Sequence, residues 1–165
     1  MYFVLGFGLV FAVTLGVVMV VTIRPTGARS RRSQAVAGFN AFWGVLTVFY
    51  FAPAGLLAAL MGLEQSMGGA VAIALVSLDG FALGIALIVA ARRLLKHTYG
   101  GVIGVAWWSL VHHAAVLLAF VLAMEAFDDL ALYTTIPCAM GAALAAGLIR
   151  RVQRDRATEP LTEPA

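Results

Sequence analysis

Apolar positions along this chain fall into five long runs separated by short polar connections, without the sustained every-second-residue alternation of half-buried strands. The runs cover roughly Tyr2–Ile23, Val36–Leu63, Ala70–Ala91, Gly101–Met124 and Leu130–Ile149. A helix needs roughly 20 such residues to cross the hydrocarbon core of a bilayer. A membrane β-barrel would instead show alternating segments of roughly 10 residues, and none is present in the sequence. The pattern predicts an all-α fold, a polytopic transmembrane helix bundle with five spans over residues 1–152. Residues 153–165, which turn Thr/Glu/Pro-rich and offer no apolar face, are expected as a disordered cytoplasmic tail.

A second periodicity lies within the runs. Asn40, Gly44, Thr47, Phe51, Gly55 and Ala58 recur at helical spacing on the second run. Gly80 and Gly84 form a small-xxx-small pair on the third, and Thr134, Cys138, Gly141 and Ala145 make a similar stripe on the fifth. In lipid, helices associate through close approach of small residues, so these stripes predict the inward faces.

Composition sharpens the class. Hydrophobic residues make up 62% of the 165 positions and charged residues 12%, about half the usual share for a soluble domain. Mean hydropathy is +0.98. The net charge of +3 matters less than where the charges sit, and it points to no nucleic-acid partner. All eleven Lys and Arg fall after the first, third and fifth runs: Arg24, Arg29, Arg31 and Arg32; Arg92, Arg93 and Lys96; Arg150, Arg151, Arg154 and Arg156. The connections near Glu64 and across Glu125, Asp128 and Asp129 have no basic residue. Lys and Arg keep loops cytoplasmic, so the N-terminus is expected outside and the C-terminus inside. For a prokaryotic chain the membrane is the plasma (inner) membrane. The first run lacks the basic n-region of a signal peptide and reads as a retained span. The single cysteine, Cys138, permits no intramolecular disulfide.

Against this apolar background, one layer of polar groups stands out. Asp79 lies nine residues in from Ala70, while His113 and His112 lie eleven and twelve residues in from Met124. At about 1.5 Å per residue these depths agree within one turn. Consecutive spans joined by a short loop are usually neighbours. Pro53 and Pro137 fall at similar depth, and each removes a helical hydrogen bond, leaving a carbonyl near Phe49 and Tyr133 in want of a partner. Thr134, Thr135 and Ser109 add hydroxyls. A charge at the bilayer centre costs about 2.5–3.5 kcal/mol on insertion scales, so Asp79, taken as the only buried charge, should face inward toward a histidine. Neighbouring helical residues point about 100° apart, so only one of His112 and His113 can meet it squarely.

These residues predict a small transport or proton/cation-conducting protein, with Asp79, His112, His113, Ser109 and Thr134 on the pathway and helix breaks at Pro53 and Pro137. The competing class is a non-catalytic subunit of a larger membrane redox complex, in which the layer holds a partner helix, a quinone or a shared haem. Two adjacent histidines on one helix make a poor bis-histidine haem site within one chain. A plain interhelical Asp–His bond that fixes register accounts for the pair equally simply. Metal binding through His113, Met124 and Cys138, with Met61 and Met67 nearby, is the weaker expectation. Trp43, Trp107 and Trp108 are expected in an interfacial aromatic belt, with Trp108 deep enough to pack on His112. No catalytic motif appears, and Ser109–His113 at i,i+4 has nothing to orient it as a nucleophile pair. The expected partners are membrane lipid and either a second copy of the chain or a larger complex.

Overall fold

The computed structural model describes Gly16 and residues 31–62, 67–96, 98–122 and 128–158. Apart from Gly16, which is helical and would crowd the Phe42 ring if it carried a Cβ, the predicted first span lies outside the described residues. So do Glu64, Met124, Glu125 and the last seven residues. The side chains of Met61, Asp128, Asp129 and Thr134 lie outside them as well.

Every regular element among the described residues is helical. α1 (Arg31–Leu46) runs through a π-helical segment, Thr47–Phe51, into α2 (Ala52–Gly62), so the three make one continuous rod. α3 covers Met67–Leu95, α4 Val102–Leu122 and α5 Asp128–Thr158. Among the described residues three stretches are long and apolar enough to cross a membrane: Ser33–Leu57, Met67–Leu95 and Thr135–Ala157. Over the described residues α4 contributes a shorter apolar stretch, Val102–Leu118.

The boundaries differ from the hydropathy reading where polar residues continue a helix. α3 begins at Met67 and carries Arg92 and Arg93 in its last turn. Cations there face the negative end of the helix macrodipole, which favours extension over termination. α5 passes its predicted end at Ile149 and runs to Thr158, into the stretch expected as tail. Arg151 anchors this extension by pairing with Asp155 at i,i+4, with 2.5 Å between charged atoms. Asp155 is only 8% exposed, so Asp79 is not the only acidic side chain drawn into the bundle.

The π segment answers the proline. Pro53 would drive its ring against the carbonyl four residues back, Phe49, and widening the turn before it removes that clash without breaking the rod. Pro53 itself is exposed. α3 and α4 are joined by a tight turn. The Arg93 carbonyl accepts from the Thr98 N–H at 3.0 Å, the Arg93 guanidinium donates to the Gly100 carbonyl at 2.8 Å, and Gly101 takes φ +77°. That backbone conformation favours glycine.

Packing puts small residues inside and large ones outside. On α3 the buried face is Ala70, Ser77, Gly80, Leu83, Gly84, Leu87 and Ala90. The opposite face carries exposed Val71, Leu75, Leu78, Phe81, Ile85 and Val89. An apolar outer stripe of this length is suited to lipid, as no water-soluble surface tolerates it. α1 crosses α3 where Gly44 meets Gly84. A Cβ on Gly44 would lie 2.5 Å from the Gly84 carbonyl oxygen, and one on Gly84 2.7 Å from that of Gly44.

The core is closed at one end. Ala37, Ala41, Ala90, Ala91, Leu94, Leu95, Tyr99, Val102, Ala106, Leu148, Ile149 and Val152 form one buried cluster. It lies where α1 begins, α3 ends, α4 begins and α5 ends, the end that also carries Arg92, Arg93, Lys96 and Arg150–Arg156. Further along, Trp43, Val45, Leu46, Leu83 and Leu87 make a second cluster. Beyond it the helices part around a cavity.

Candidate functional site: an acid–histidine pair in an apolar cavity

The cavity holds about 930 Å³ and is walled by all four rods. Trp43, Thr47, Phe51 and Gly55 come from the first rod, Ile73, Val76, Ser77, Asp79 and Gly80 from α3, Trp108, Val111, His112 and His113 from α4, and Pro137 and Cys138 from α5. No residue of the closed-end cluster lines it.

α3 and α4 bring Asp79 and His112 together, with 2.5 Å between Asp79 Oδ2 and His112 Nδ1. The other carboxylate oxygen, Oδ1, accepts from the Trp108 indole N–H at 3.2 Å. Trp108 and His112 are one helical turn apart on α4, so a single face of that helix presents one donor to each oxygen of the carboxylate. The Asp79 side chain is 44% exposed and His112 13%, so the carboxylate fronts the open space and the imidazole sits behind it. Gly80 lies beside this corner, where a Cβ would make an ordinary contact with His112 Nε2 at 3.7 Å. That ring nitrogen has no hydrogen-bond partner among the described residues.

His113, one residue on, points elsewhere. Its Nδ1 lies 2.7 Å from the Ser109 carbonyl oxygen, and its Nε2 accepts from the Trp43 indole N–H at 3.1 Å. A carbonyl only accepts and an indole N–H only donates, so the hydrogen-bond network assigns a neutral ring with its proton on Nδ1. Ser109 Oγ is 3.4 Å from that same Nδ1. With its proton committed to the carbonyl, Nδ1 has no lone pair to accept from the hydroxyl, and Ser109 is not activated as a nucleophile. Gly141 of α5 lies against the His113 ring so closely that a Cβ would overlap it. The two imidazoles meet edge to face, with centroids 5.4 Å apart.

The residues singled out from sequence therefore divide. Asp79, His112, His113, Pro137 and Cys138 line one cavity. Ser109 is buried behind His113. Pro53 is exposed and does not line the cavity, so the first rod meets it through Thr47, Phe51 and Gly55 instead. The Thr134 side chain and Met124 lie outside the described residues, and Met67 is exposed. Among the described residues no three of His, Cys, Asp and Glu gather as metal ligands.

The tryptophans divide. Trp107 and Trp108 are exposed and Trp43 is buried, and Trp43 and Trp108 are the donors to His113 and Asp79. An indole has an apolar body and a single N–H, so the same residue type serves an interface or a buried acceptor. The depth of Trp108 beside His112 was the available signal. Trp43 and Gly141 had none beyond their place on a small-residue helix face.

Comparison with known proteins finds no matching family model, no matching curated protein and no matching solved structure. The functional reading rests on the geometry of the Asp79 cavity.

Proposed function

We propose that this chain is a small integral membrane protein that carries a proton or cation at Asp79 and His112. It spans the plasma membrane five times, with the N-terminus outside and the basic end of the bundle in the cytoplasm. The observation that supports this reading is a carboxylate, paired to an imidazole, that fronts an apolar cavity instead of being sealed in the core. A merely structural pair would gain by full burial away from the open space. Intramembrane ionisable groups mark ion and proton pathways in membrane proteins. The closed cluster at the basic end suits a carrier that exposes its site to one side at a time better than an open channel.

Reconstitution tests it. Proteoliposomes with an imposed pH gradient should show proton flux that Asp79→Asn abolishes and Asp79→Glu retains in part. Flux unchanged by Asp79→Asn ends the proposal.

A second reading, a subunit of a larger redox complex, draws on His112 Nε2. That atom lacks a protein partner among the described residues, and it is the one a shared haem iron or a quinone carbonyl would take. A visible spectrum of the protein purified from its native membrane, oxidised and then dithionite-reduced, separates the readings. A Soret band that shifts on reduction favours the complex.

A further inference from the structure

Resting on the reading of Asp79 and His112 as a proton or cation site, we propose that the cavity takes a lipophilic organic monocation, which displaces one proton from the Asp79–His112 pair.

Three features of the cavity select this class. The first is charge. With His112 neutral the pair carries one negative charge, and with His112 protonated it carries none. A bare carboxylate beside apolar walls is costly, so the site favours two neutral occupancies, proton-loaded and cation-loaded. Both Asp79 oxygens keep a lone pair beyond the donors supplied by His112 and Trp108, and the side chain is 44% exposed toward the cavity.

The second is the wall. The described walls nearest the pair are mainly apolar, Ile73, Val76, Val111 and Val116, and the Thr47 and Ser77 hydroxyls each already donate to a backbone carbonyl of their own helix, so the described side chains offer a small inorganic cation only a sparse polar shell. Among the described residues no cluster of ligating groups completes such a site. A cation that brings its own apolar surface needs no such shell. The indole of Trp108 borders the carboxylate, and Trp43 and Phe51, with centroids 5.7 Å apart, form a further aromatic wall. Aromatic faces attract organic cations.

The third is size. The cavity is a partly open cleft of about 930 Å³, a volume in the range of drug-sized ligand sites and far beyond a dehydrated metal ion.

The exchange balances simply: one cation enters, the pair loses one proton to water, and the charge of the site is zero before and after. The titratable groups around Asp79 are few. Among the described side chains, α4 brings His112 and His113, α5 brings the Cys138 thiol, and the first rod brings no ionisable group to the cavity. His113 has both ring nitrogens engaged, which leaves the Asp79–His112 pair to hold the exchanged proton.

Binding of tetraphenylphosphonium to the full-length protein in lipid nanodiscs, followed by calorimetry in buffers of different ionisation heat, tests the proposal. The expected result is one proton released per cation bound under acidic conditions. The apparent Kd should rise about tenfold for each unit of pH decrease through the range where the pair is protonated. Asp79→Asn should weaken binding at least about tenfold, and Asp79→Glu should restore it. Val76→Phe, which fills part of the cavity wall, should weaken tetraphenylphosphonium binding, whereas Gly104→Ala, outside the lining and with open space at its Cβ, should leave both binding and proton flux in place. Equal affinity for neutral triphenylphosphine oxide overturns the proposal, as does binding without proton release or binding indifferent to both Asp79 variants. No binding, alongside proton flux that still depends on Asp79, overturns the organic cation and leaves the proton site standing. No Asp79-dependent flux and no binding overturn both.

Discussion

The indole of Trp43 donates to Nε2 of His113 at 3.1 Å from a helix seventy positions earlier in the chain, and this bond separates the roles of two adjacent histidines. His113, closed on both ring nitrogens, ties α1 to α4. His112 meets the carboxylate. Replacing Trp43 with Phe removes the donor together with the five-membered ring that carries it. A buried acceptor left without its partner costs about 1–3 kcal/mol. Trp43→Phe should therefore lower the melting temperature in detergent while proton flux through Asp79 persists. Loss of flux at undiminished stability would show that His113 belongs to the pathway.

Gly141 lets α5 lie directly on the His113 ring. Gly141→Ala should force the helix or the ring aside, at a cost of about 1–3 kcal/mol typical of overpacking. Gly147→Ala on the same helix is the control. A Cβ there meets nothing within 4 Å, so its melting temperature should match or slightly exceed that of the parent.

The crossing of α1 and α3 makes a sharper case. Gly44 and Gly84 each face the other's backbone oxygen, which cannot rotate away as a side chain can. Either residue changed to Val should destabilise the bundle more than Gly141→Ala does. Gly104→Ala, with open space at its Cβ, should be neutral. Thermal denaturation of the four variants, monitored by tryptophan fluorescence, gives the order. A Gly84→Val protein as stable as the parent would mean that α1 and α3 do not meet at this point.

At the closed end, Arg151→Gln should cost about 1–3 kcal/mol by removing the bidentate guanidinium contact to buried Asp155. Arg150 is exposed, and Arg150→Gln should change little. The comparison is made in unfolding melts and in helix content by circular dichroism, which falls for Arg151→Gln if the last turns of α5 fray. Equal melts for the two variants would remove the Arg151–Asp155 pair as the anchor of the last turns.

Cys138, the chain's single cysteine, gives a reporter inside the cavity. It is 6% exposed, so a small methanethiosulfonate reagent should modify it slowly, and more slowly again when tetraphenylphosphonium is present. Modification at one rate with and without the cation would place the cation elsewhere.

Hydropathy made the helical class legible, and residue counting along the third and fourth runs put Asp79 level with the histidines, because rise per residue is a property of one helix alone. The small-residue stripes likewise marked inward faces at Gly44, Gly84 and Gly141, since close approach needs small side chains whatever the partner. Depth is the axial coordinate. The azimuth was not readable, because the rotation of one helix against another is set by contacts between residues far apart in the chain. That rotation turned His112 toward Asp79 and His113 toward Trp43, and it made Trp43 and Trp108 donors to the polar layer. Local spacing also could not reveal that Pro53 would be absorbed by a π segment and face outward. The cavity exists only where four helices diverge beyond the Trp43–Leu87 cluster, and its volume belongs to their packing, as no single helix encodes it.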